Sequence, residues 1–402
     1  MSETRPITIL CLASYHKGDE FLVASKTLGC RVLLLTRESL KEEAWPRESI
    51  DELLFMPNLK KQPDMTYAVS YRARSQIIDQ IIPLDDYDVL TAAALREHLR
   101  LPGLGESLAR LFRDKLAMRV QARAAGLLVP DFAPVFNYDR LREFMAGTPP
   151  PWVLKPRSEA GAMGIKKLRT AEELWRRLDT LGDEQSFFVL EKYVPGDVYH
   201  VDAIVSEGEV VFSAAHKYGR PPMNVAHEGG VFISRTLPYA SEEAQALQKF
   251  NRQLLKAFGL VRGAAHAEFI RGAADGRFYF LETAARVGGA NIADMVKAAS
   301  GVNLWAEWAK VEVAHLRREP YPPPQPRQDY AGILICLARQ PYPDLSAYQD
   351  PEIVWRMTKE QHAGLIIASS DPARIETLLD RYSERFASDF LAVAPPLDKP
   401  PD

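Results

Sequence analysis

Two apolar runs separated by a short polar turn, each run containing a glutamate, constrain the fold of this chain more than any other feature. The segment is HAEFIRGAADGRFYFLETAAR, residues 266–286, and its turn is AADG. If the turn is centred on Asp275, Glu268 lies seven residues before the centre and Glu282 seven residues after it. Facing residues of an antiparallel pair have Cβ atoms about 4.5–5.5 Å apart, where like charges are destabilising. The segment therefore predicts a β-hairpin whose facing carboxylates need a compensating cation.

A divalent metal ion is the simplest partner for these two carboxylates. Mg²⁺ takes oxygen ligands and is usually shared with substrate phosphates, so we interpret Glu268 and Glu282 as metal ligands, with Mn²⁺ as an alternative ion. The other interpretation is an edge hairpin with two solvated glutamates. The neighbouring residues of HAEF and FYFL favour the metal site, because together they are too apolar for an open surface.

A lysine at the end of a predicted strand stands before a loop of small residues. Lys155 ends the run WVLK, and the loop after it contains Gly161 and Gly164 before the next predicted strand, IKKL. Backbone N–H groups of such a loop can close on phosphate oxygens while the ammonium adds positive charge. The order differs from that of a P-loop, in which the lysine follows the glycines and opens a helix. A plain hairpin with an exposed lysine is the alternative, and the loop alone does not decide between them.

An arginine follows the second glutamate of the hairpin. Arg286 comes four residues after Glu282 and shortly before Gly288 and Gly289. A guanidinium beside a metal ion and phosphates can hold a planar anion through paired hydrogen bonds. A salt bridge to one of the two glutamates is the alternative role.

The order of predicted elements divides the chain into an α/β part and an α+β part. Apolar runs alternate with helical patterns over the first hundred residues, with strands at 7–12, 31–35 and 52–56, a helix at about 66–80 and a strand and helix within 88–95. This order is typical of a doubly wound, Rossmann-like parallel sheet. Later strands are predicted as antiparallel pairs, and Thr170 with Glu173 forms a capping box that opens a helix. The predicted divisions are residues 1–110 for an N-terminal domain, 111–319 for a central domain with a lid at about 130–195, 320–327 for a proline-rich linker, 328–390 for a C-terminal α+β subdomain and 391–402 for a disordered tail.

Composition excludes several classes of protein. The 402 residues carry 50 Lys and Arg against 53 Asp and Glu, a balance that argues against nucleic acid as a partner. No apolar run approaches the 18 or so residues of a membrane span, and the N-terminus lacks the apolar core of a signal peptide, so we expect a cytoplasmic protein without a membrane partner. The three cysteines have no CxxC spacing and are predicted to be buried free thiols. The partners are expected to be small molecules, and a homodimer is left open.

Five motifs in order resemble those of the ATP-grasp superfamily. They are RDKLAMRVQARAAGLLVP, WVLKP with SEAGAMG, VLEKYVPGDVYHVD, HAEF and FLETAARVGG, and they run from about Phe112 to Trp308. The last two are similar to the paired metal glutamates and arginine of the carboxylate-amine ligases that act on amino acids. The resemblance implies an ATP-grasp fold: a Rossmann-like preATP-grasp domain, an α+β core and a small C-terminal α+β extension. It also implies an ADP-forming ligase that uses ATP and Mg²⁺ and makes an amide or peptide bond through an acyl phosphate.

The resemblance implies roles for individual positions. The phosphates would be bound by Lys115, Lys155 and the loop residues Ser158, Gly161 and Gly164; the adenine by Glu191, through its backbone carbonyl, and Val194; the metal by Glu268 and Glu282; and the acyl phosphate by Arg286. Two positions depart from the pattern of the superfamily. Val198 stands where an acid often binds the ribose, so Asp197 or Asp202 would have to replace it. Ala284 stands where an asparagine often completes the metal site, and alanine offers no oxygen ligand.

A cluster of charged residues after the proposed adenine hinge is interpreted as the acceptor pocket. Its members are His216, Lys217, Arg220, His227, Glu228 and Arg235, with Asn291 and Asp294 further along the chain. For any single member a solvated loop position is the better interpretation, and His200 is interpreted as a structural histidine. Two other functions remain open: an ATP-grasp carboxylase that uses bicarbonate, and a nucleotide-binding regulatory protein without turnover.

Overall fold

The computed structural model describes residues 5–394, in which three β-sheets are surrounded by helices. The strands are β1 (Thr8–Ala13), β2 (Arg31–Arg37), β3 (Glu52–Met56), β4 (Gln80–Pro83), β5 (Phe132–Pro134), β6 (Trp152–Pro156), β7 (Lys166–Leu168), β8 (Phe188–Lys192), β9 (Gly196–Ser206), β10 (Glu209–Tyr218), β11 (Phe232–Thr236), β12 (Gly263–Gly272), β13 (Phe278–Ala284), β14 (Tyr330–Leu337), β15 (Ile353–Arg356) and β16 (His362–Ser369). The α-helices are α1 (Asp19–Thr27), α2 (Asp64–Ala73), α3 (Val89–Leu99), α4 (Glu106–Arg110), α5 (Lys115–Ala124), α6 (Tyr138–Gly147), α7 (Ala171–Leu181), α8 (Pro222–Glu228), α9 (Glu242–Ala257), α10 (Ile292–Ser300), α11 (Leu304–Arg317) and α12 (Pro372–Asp389).

The N-terminal sheet is parallel, with the order β3-β2-β1-β4. Its inner strands are continuous apolar runs because helices cover both faces of such a sheet. The predicted strand within residues 88–95 is wrong, because this segment lies in α3. The fourth strand is instead β4, which begins at Gln80, where the predicted helix 66–80 was expected to end. Helix α2 ends at Ala73, and β4 is followed by a turn in which the Asp85 side chain accepts a hydrogen bond from Tyr87 N.

The central sheet has eight strands in the order β13-β12-β9-β10-β11-β14-β16-β15, and all its pairs are antiparallel. Strand β11, which follows the Gly229–Gly230 turn, joins β10 to β14. The strands of the predicted C-terminal subdomain therefore continue this sheet, with α12 packed against β14 and β16 through Leu378 and Leu379. The division of the chain into domains stays a prediction.

The lid sheet is a small antiparallel sheet with the order β5-β8-β6-β7. The predicted hairpin is confirmed, since Trp152 pairs with Leu168 and Leu154 with Lys166. Half of the predicted capping box of α7 is confirmed, since Thr170 Oγ1 accepts from Glu173 N at 3.3 Å; the Glu173 side chain instead accepts from the N–H of the preceding residue, Arg169, at 2.6 Å. The β6–β7 hairpin thus forms one edge of the lid sheet, and α7 begins directly after it.

The cysteines, the helix lengths and the C-terminal segment can be compared directly with the sequence predictions. Cys11, Cys30 and Cys336 are buried free thiols, as predicted. Every helix within residues 5–394 is too short or too polar to cross a membrane. The tail predicted from residue 391 does not begin there, because Leu391 forms a β-bridge with Ala338; the remainder of that prediction, residues 395–402, lies outside the described residues.

Candidate active site

A cavity of about 940 Å³ is lined by the lid sheet, the central sheet and loops of the N-terminal sheet. The lid contributes Val153 and Glu191, the central sheet contributes Ile270, and the loops after β1 and β4 contribute Tyr15 and Asp86. The volume lies near the upper end of the range for cofactor and substrate pockets, about 300–1,000 Å³. The cavity is therefore large enough for a nucleotide together with a second small molecule.

Lys115 stands at the start of α5, where it connects the hairpin glutamate to the glycine-containing loop. Asp114 caps this helix by accepting from Leu116 N at 3.0 Å. The Lys115 Nζ atom lies 2.9 Å from Glu282 Oε2 and donates to the backbone oxygen of Glu159 at 2.6 Å. The side chain is nearly buried, so its ammonium is held at the cavity wall by these two oxygens.

Lys155 ends β6 and pairs with a buried glutamate of β8. Its Nζ atom lies 2.8 Å from Glu191 Oε2, and Arg119 Nη2 lies 2.9 Å from Glu191 Oε1. Burial alone would raise the pKa of Glu191, but Arg119 and Lys155 outweigh it and hold the pKa below its usual value. The Glu191 side chain thus orients Lys155, and the adenine contact of its backbone carbonyl stays a prediction. Arg119 was missed, although it lies one helical turn after Lys115 on α5.

The facing position of the two hairpin glutamates is confirmed. Glu268 on β12 is the direct partner of Glu282 on β13. Near the turn, however, Arg271 pairs with Phe278, so the centre lies half a residue before the predicted one. A bulge leaves Leu281 without a partner and restores the predicted register at the glutamates. The two errors cancel at the functional position.

The two carboxylates have different surroundings, and both suit an oxygen-binding cation. Glu268 accepts from the Tyr218 hydroxyl at 2.8 Å and lies 3.5 Å from His266 Nε2, whereas Glu282 pairs with Lys115. A pair of facing carboxylate ligands fits Mg²⁺, which keeps several waters and shares substrate phosphates. Ala284 lines the same cavity without a side-chain oxygen. The side chains that would fit such an ion here are therefore the two carboxylates.

The imidazoles behind this site differ in charge because of their neighbours. Burial by itself lowers the pKa of His266, but Asp202 raises it to about 10, so the ring is protonated at neutral pH. Burial and the neighbouring His200 lower the pKa of His216 to about 3, so that ring is neutral. The positive charge nearest to Glu268 on its own strand is therefore His266.

Arg286 pairs with an aspartate of the N-terminal part of the chain rather than with a glutamate of the hairpin. Its Nη2 atom lies 3.5 Å from Asp86 Oδ2, and Arg113 Nη1 lies 2.7 Å from the same oxygen. Burial would raise the pKa of Asp86, but Arg113 and Arg286 keep it below its usual value. Asp86, which sequence reasoning missed, holds both guanidinium groups at the cavity.

Two predicted ribose contacts lie away from the cavity. Asp202 is fully buried between His200 and His266. Asp197 pairs with Lys217 at 2.7 Å on the face of the strands opposite to the cavity-lining Val198. Alternation along β9 explains the position of Asp197, because successive side chains of a strand point to opposite faces.

The predicted acceptor cluster is not brought to the cavity. His216 is fully buried, and the other members form pairs: Lys217 with Asp197, Arg220 with Glu228, Arg235 with Glu376, and Asn291 with Asp294. His227 contacts the backbone oxygen of Ala162 in the lid loop.

Two residues of the predicted phosphate loop, Ser158 and Gly164, are absent from the cavity lining, whereas Gly161 of the same loop lines it. The residue of β10 that does reach the cavity is Tyr218, which the sequence reasoning passed over because it looked for charge.

Comparison with known proteins finds similarity to ATP-grasp proteins. A family profile described as ATP-grasp domain matches residues 148–294. An L-arginine-specific L-amino acid ligase from Bacillus subtilis is 25% identical over 243 residues, which are 58% of each chain, so the alignment spans little more than half of that relative. A D-alanine–D-alanine ligase from Dechloromonas aromatica is 24% identical over 196 residues, 46% of this chain and 61% of its own.

The fold is also that of solved structures. The crystal structure of an L-amino acid ligase from Bacillus licheniformis matches with a TM-score of 0.77 and 18% identity, and covers 97% of this chain and 99% of its own. Residues 148–294 therefore match the ATP-grasp domain family, and the chain has the ATP-grasp fold. The resemblance inferred from the five motifs is confirmed.

Replacing Lys155 with alanine should weaken nucleotide binding. The substitution removes a charge-assisted contact worth about 1.5–3 kcal/mol, or about 10- to 100-fold in affinity. Glu191 keeps Arg119 as its partner, so the variant should fold. Calorimetric titration with a non-hydrolysable ATP analogue measures the effect, and Lys256→Ala on the exposed side of α9 is the matched control. Equal affinities in the two variants would remove Lys155 from the phosphate site.

Proposed function

We propose that the protein is an ADP-forming ligase that uses ATP to join an amino-acid carboxylate to an amine. One observation carries the proposal: Lys115, Lys155, the facing Glu268 and Glu282, and Arg286 line a single cavity. This set supplies positive charge for a triphosphate and carboxylates for a cation. The similarity to amino-acid ligases named above supports the substrate class.

The nucleotide would lie between the lid sheet and the central sheet. The adenine end is formed by the backbone of residues 191–194, with Val153, Ile270 and Leu281 as apolar walls. The phosphates then extend toward Lys155 and Lys115, beneath the loop that contains Gly161. An apolar cleft with charged groups at one end is the usual form of a nucleotide site.

The metal would be held by Glu268 and Glu282. A bound Mg²⁺ or Mn²⁺ supplies charge neutralisation for the phosphates and the leaving group. Lys115 adds a positive charge at the same place, because it already contacts Glu282. The chain thus concentrates positive charge where negative charge develops.

The chemistry needs positioning more than a protein nucleophile. A carboxylate oxygen of the substrate attacks the γ-phosphorus, the bond to the bridging oxygen breaks, and ADP leaves. An amine nitrogen then attacks the acyl carbon, the bond to the phosphate breaks, and the amine releases a proton. Arg286, oriented by Asp86, would donate hydrogen bonds to the acyl phosphate and to the tetrahedral state. We place this reaction in the cytoplasm with small-molecule partners, and the homodimer stays an open prediction.

The proposal is tested by the products that the protein releases. We expect ADP and phosphate release only when a suitable amino-acid carboxylate is present, with a product whose mass equals that of the two substrates minus water. A panel of amino-acid pairs, analysed by a phosphate assay and mass spectrometry, measures this. ADP release with bicarbonate alone would indicate a carboxylase. Tight ATP binding without release across the panel would indicate a regulatory protein.

A further inference from the structure

A chain of buried polar side chains runs through the central sheet to the carboxylate of Glu268. His200 contacts Ser234 Oγ and Asp202 Oδ2, both at 2.7 Å. His266 Nδ1 lies 2.9 Å from Asp202 Oδ1, and its other nitrogen, Nε2, lies 3.5 Å from Glu268 Oε1. Both oxygens of Asp202 are therefore used, one by each histidine.

The strand pairing brings these side chains together. On the paired strands β9 and β12, His200 faces Glu268 and Asp202 faces His266. Buried polar groups are costly unless they are hydrogen-bonded, and His200, Asp202 and His266 each have such partners. The last contact of the series is to Glu268, a carboxylate of the proposed metal site.

Tyr218 holds the same carboxylate from another strand. Its hydroxyl donates to Glu268 Oε1 at 2.8 Å, and its ring packs against His200 with centroids 4.6 Å apart. Glu268 is thus fixed by Tyr218 from β10 and by His266 from its own strand β12. A carboxylate with two such partners has few orientations left.

The loop after β13 rests directly on the Asp202–His266 pair. A Cβ atom built on Gly288 would lie 2.7 Å from Asp202 Oδ1 and 3.0 Å from His266 Nδ1, so this position accommodates only glycine without a shift. Arg286 lies two residues earlier in the same loop. The pair therefore supports both the Glu268 carboxylate and the backbone that presents Arg286.

The composition of the metal site explains why such support is needed. Ala284 provides no oxygen, so Glu268 and Glu282 supply both protein ligands, and Glu282 is the more exposed of the two. With only two carboxylates, the orientation of each has a large effect on metal affinity. Groups that orient a metal ligand typically change metal affinity or activity by about 10- to 100-fold when removed.

We propose that Tyr218, His266 and Asp202 are positioning residues that fix the Glu268 carboxylate for the metal, in place of a third oxygen ligand at position 284. The inference rests on the proposed function, because it takes Glu268 as a metal ligand. None of the three residues is assigned a chemical step. Asp202 acts through His266, and both Tyr218 and His266 act through Glu268.

The test measures metal binding without turnover. Mn²⁺ binding to the full-length protein, saturated with a non-hydrolysable ATP analogue, is followed by electron paramagnetic resonance for Tyr218→Phe, His266→Gln and Asp202→Asn. We expect Mn²⁺ affinity to fall about 10- to 100-fold, while the affinity for the analogue without metal stays unchanged. The Mg²⁺ concentration for half-maximal phosphate release should rise by a similar factor. Tyr239→Phe is the matched control, because it removes a tyrosine hydroxyl bonded to the backbone of Asp329.

The outcomes separate this inference from the proposed function. Wild-type Mn²⁺ affinity in folded Tyr218→Phe and His266→Gln would overturn the positioning role, and Tyr218→Phe remains informative if Asp202→Asn does not fold. A transition metal bound in the purified protein by His200, Asp202 and His266 would also overturn it, because these residues would then be ligands themselves. Failure of the amino-acid panel, with the variants still losing Mn²⁺ affinity, would overturn the ligase proposal alone. Absence of Mn²⁺ binding to the wild type would overturn both.

Discussion

Replacing Glu282 with glutamine should reduce the rate of phosphate release by about 10²-fold or more, because the proposed metal ligand itself is altered rather than a group that merely orients one. The amide keeps the size of the side chain but removes one of the two facing negative charges. It also removes the ion pair that holds Lys115 at the cavity wall. The loss should be greatest at low Mg²⁺ concentration.

The measurement is phosphate release over a Mg²⁺ titration. Glu384→Gln is the matched control, because Glu384 is exposed on α12, outside the lining of the cavity. Normal turnover of Glu282→Gln at low Mg²⁺ would show that the facing carboxylates are not the metal site. The expectation for Glu268→Gln is the same in direction.

Replacing Arg286 with alanine should separate nucleotide binding from chemistry. The adenine hinge and both lysines lie elsewhere in the cavity, so the affinity for an ATP analogue should stay near that of the wild type. Turnover should fall by about 10²–10³-fold, the usual effect of removing one donor aimed at developing charge. Asp86 keeps Arg113 as a partner at 2.7 Å, so the variant should fold.

A lysine at position 286 distinguishes charge from geometry. Arg286→Lys keeps a positive charge but cannot form the planar, two-pronged contact of a guanidinium, so it should recover little activity. Calorimetry of nucleotide binding and steady-state phosphate release provide the two readouts. A parallel loss of binding and turnover in Arg286→Ala would move Arg286 from the acyl phosphate to the nucleotide.

The β12–β13 hairpin was predictable because its two strands carry strong local signals. Two apolar runs and a polar turn predict the hairpin, and a turn centred on Asp275 then places Glu268 opposite Glu282, as the structure has them. The bulge at Leu281 was not predictable from this pattern, since a bulge leaves no mark in the alternation of short strands. The register was right at the glutamates only because the error in the turn was equal and opposite.

The acceptor cluster could not be predicted from the density of charge. Each cation of the cluster forms an ion pair with an acidic residue: Lys217 with Asp197, Arg220 with Glu228 and Arg235 with Glu376. These pairs keep the three side chains away from the cavity. A partner such as Glu376 is 141 residues away from Arg235 and is joined to it only by the fold. Asp86, which lines the cavity and pairs with Arg113 and Arg286, lies in a segment without a recognisable sequence motif.

The continuity of the central sheet limits where the chain could be divided into separately folding parts. Because β11 pairs with β10 on one side and β14 on the other, the cavity-lining strands and strands β14 and β16 belong to one hydrogen-bonded sheet. A chain cut at the proline-rich segment would leave β11 with an open edge, which is a template for aggregation. Strands β14 and β16 and helix α12 are therefore part of the framework that carries the cavity-lining strands.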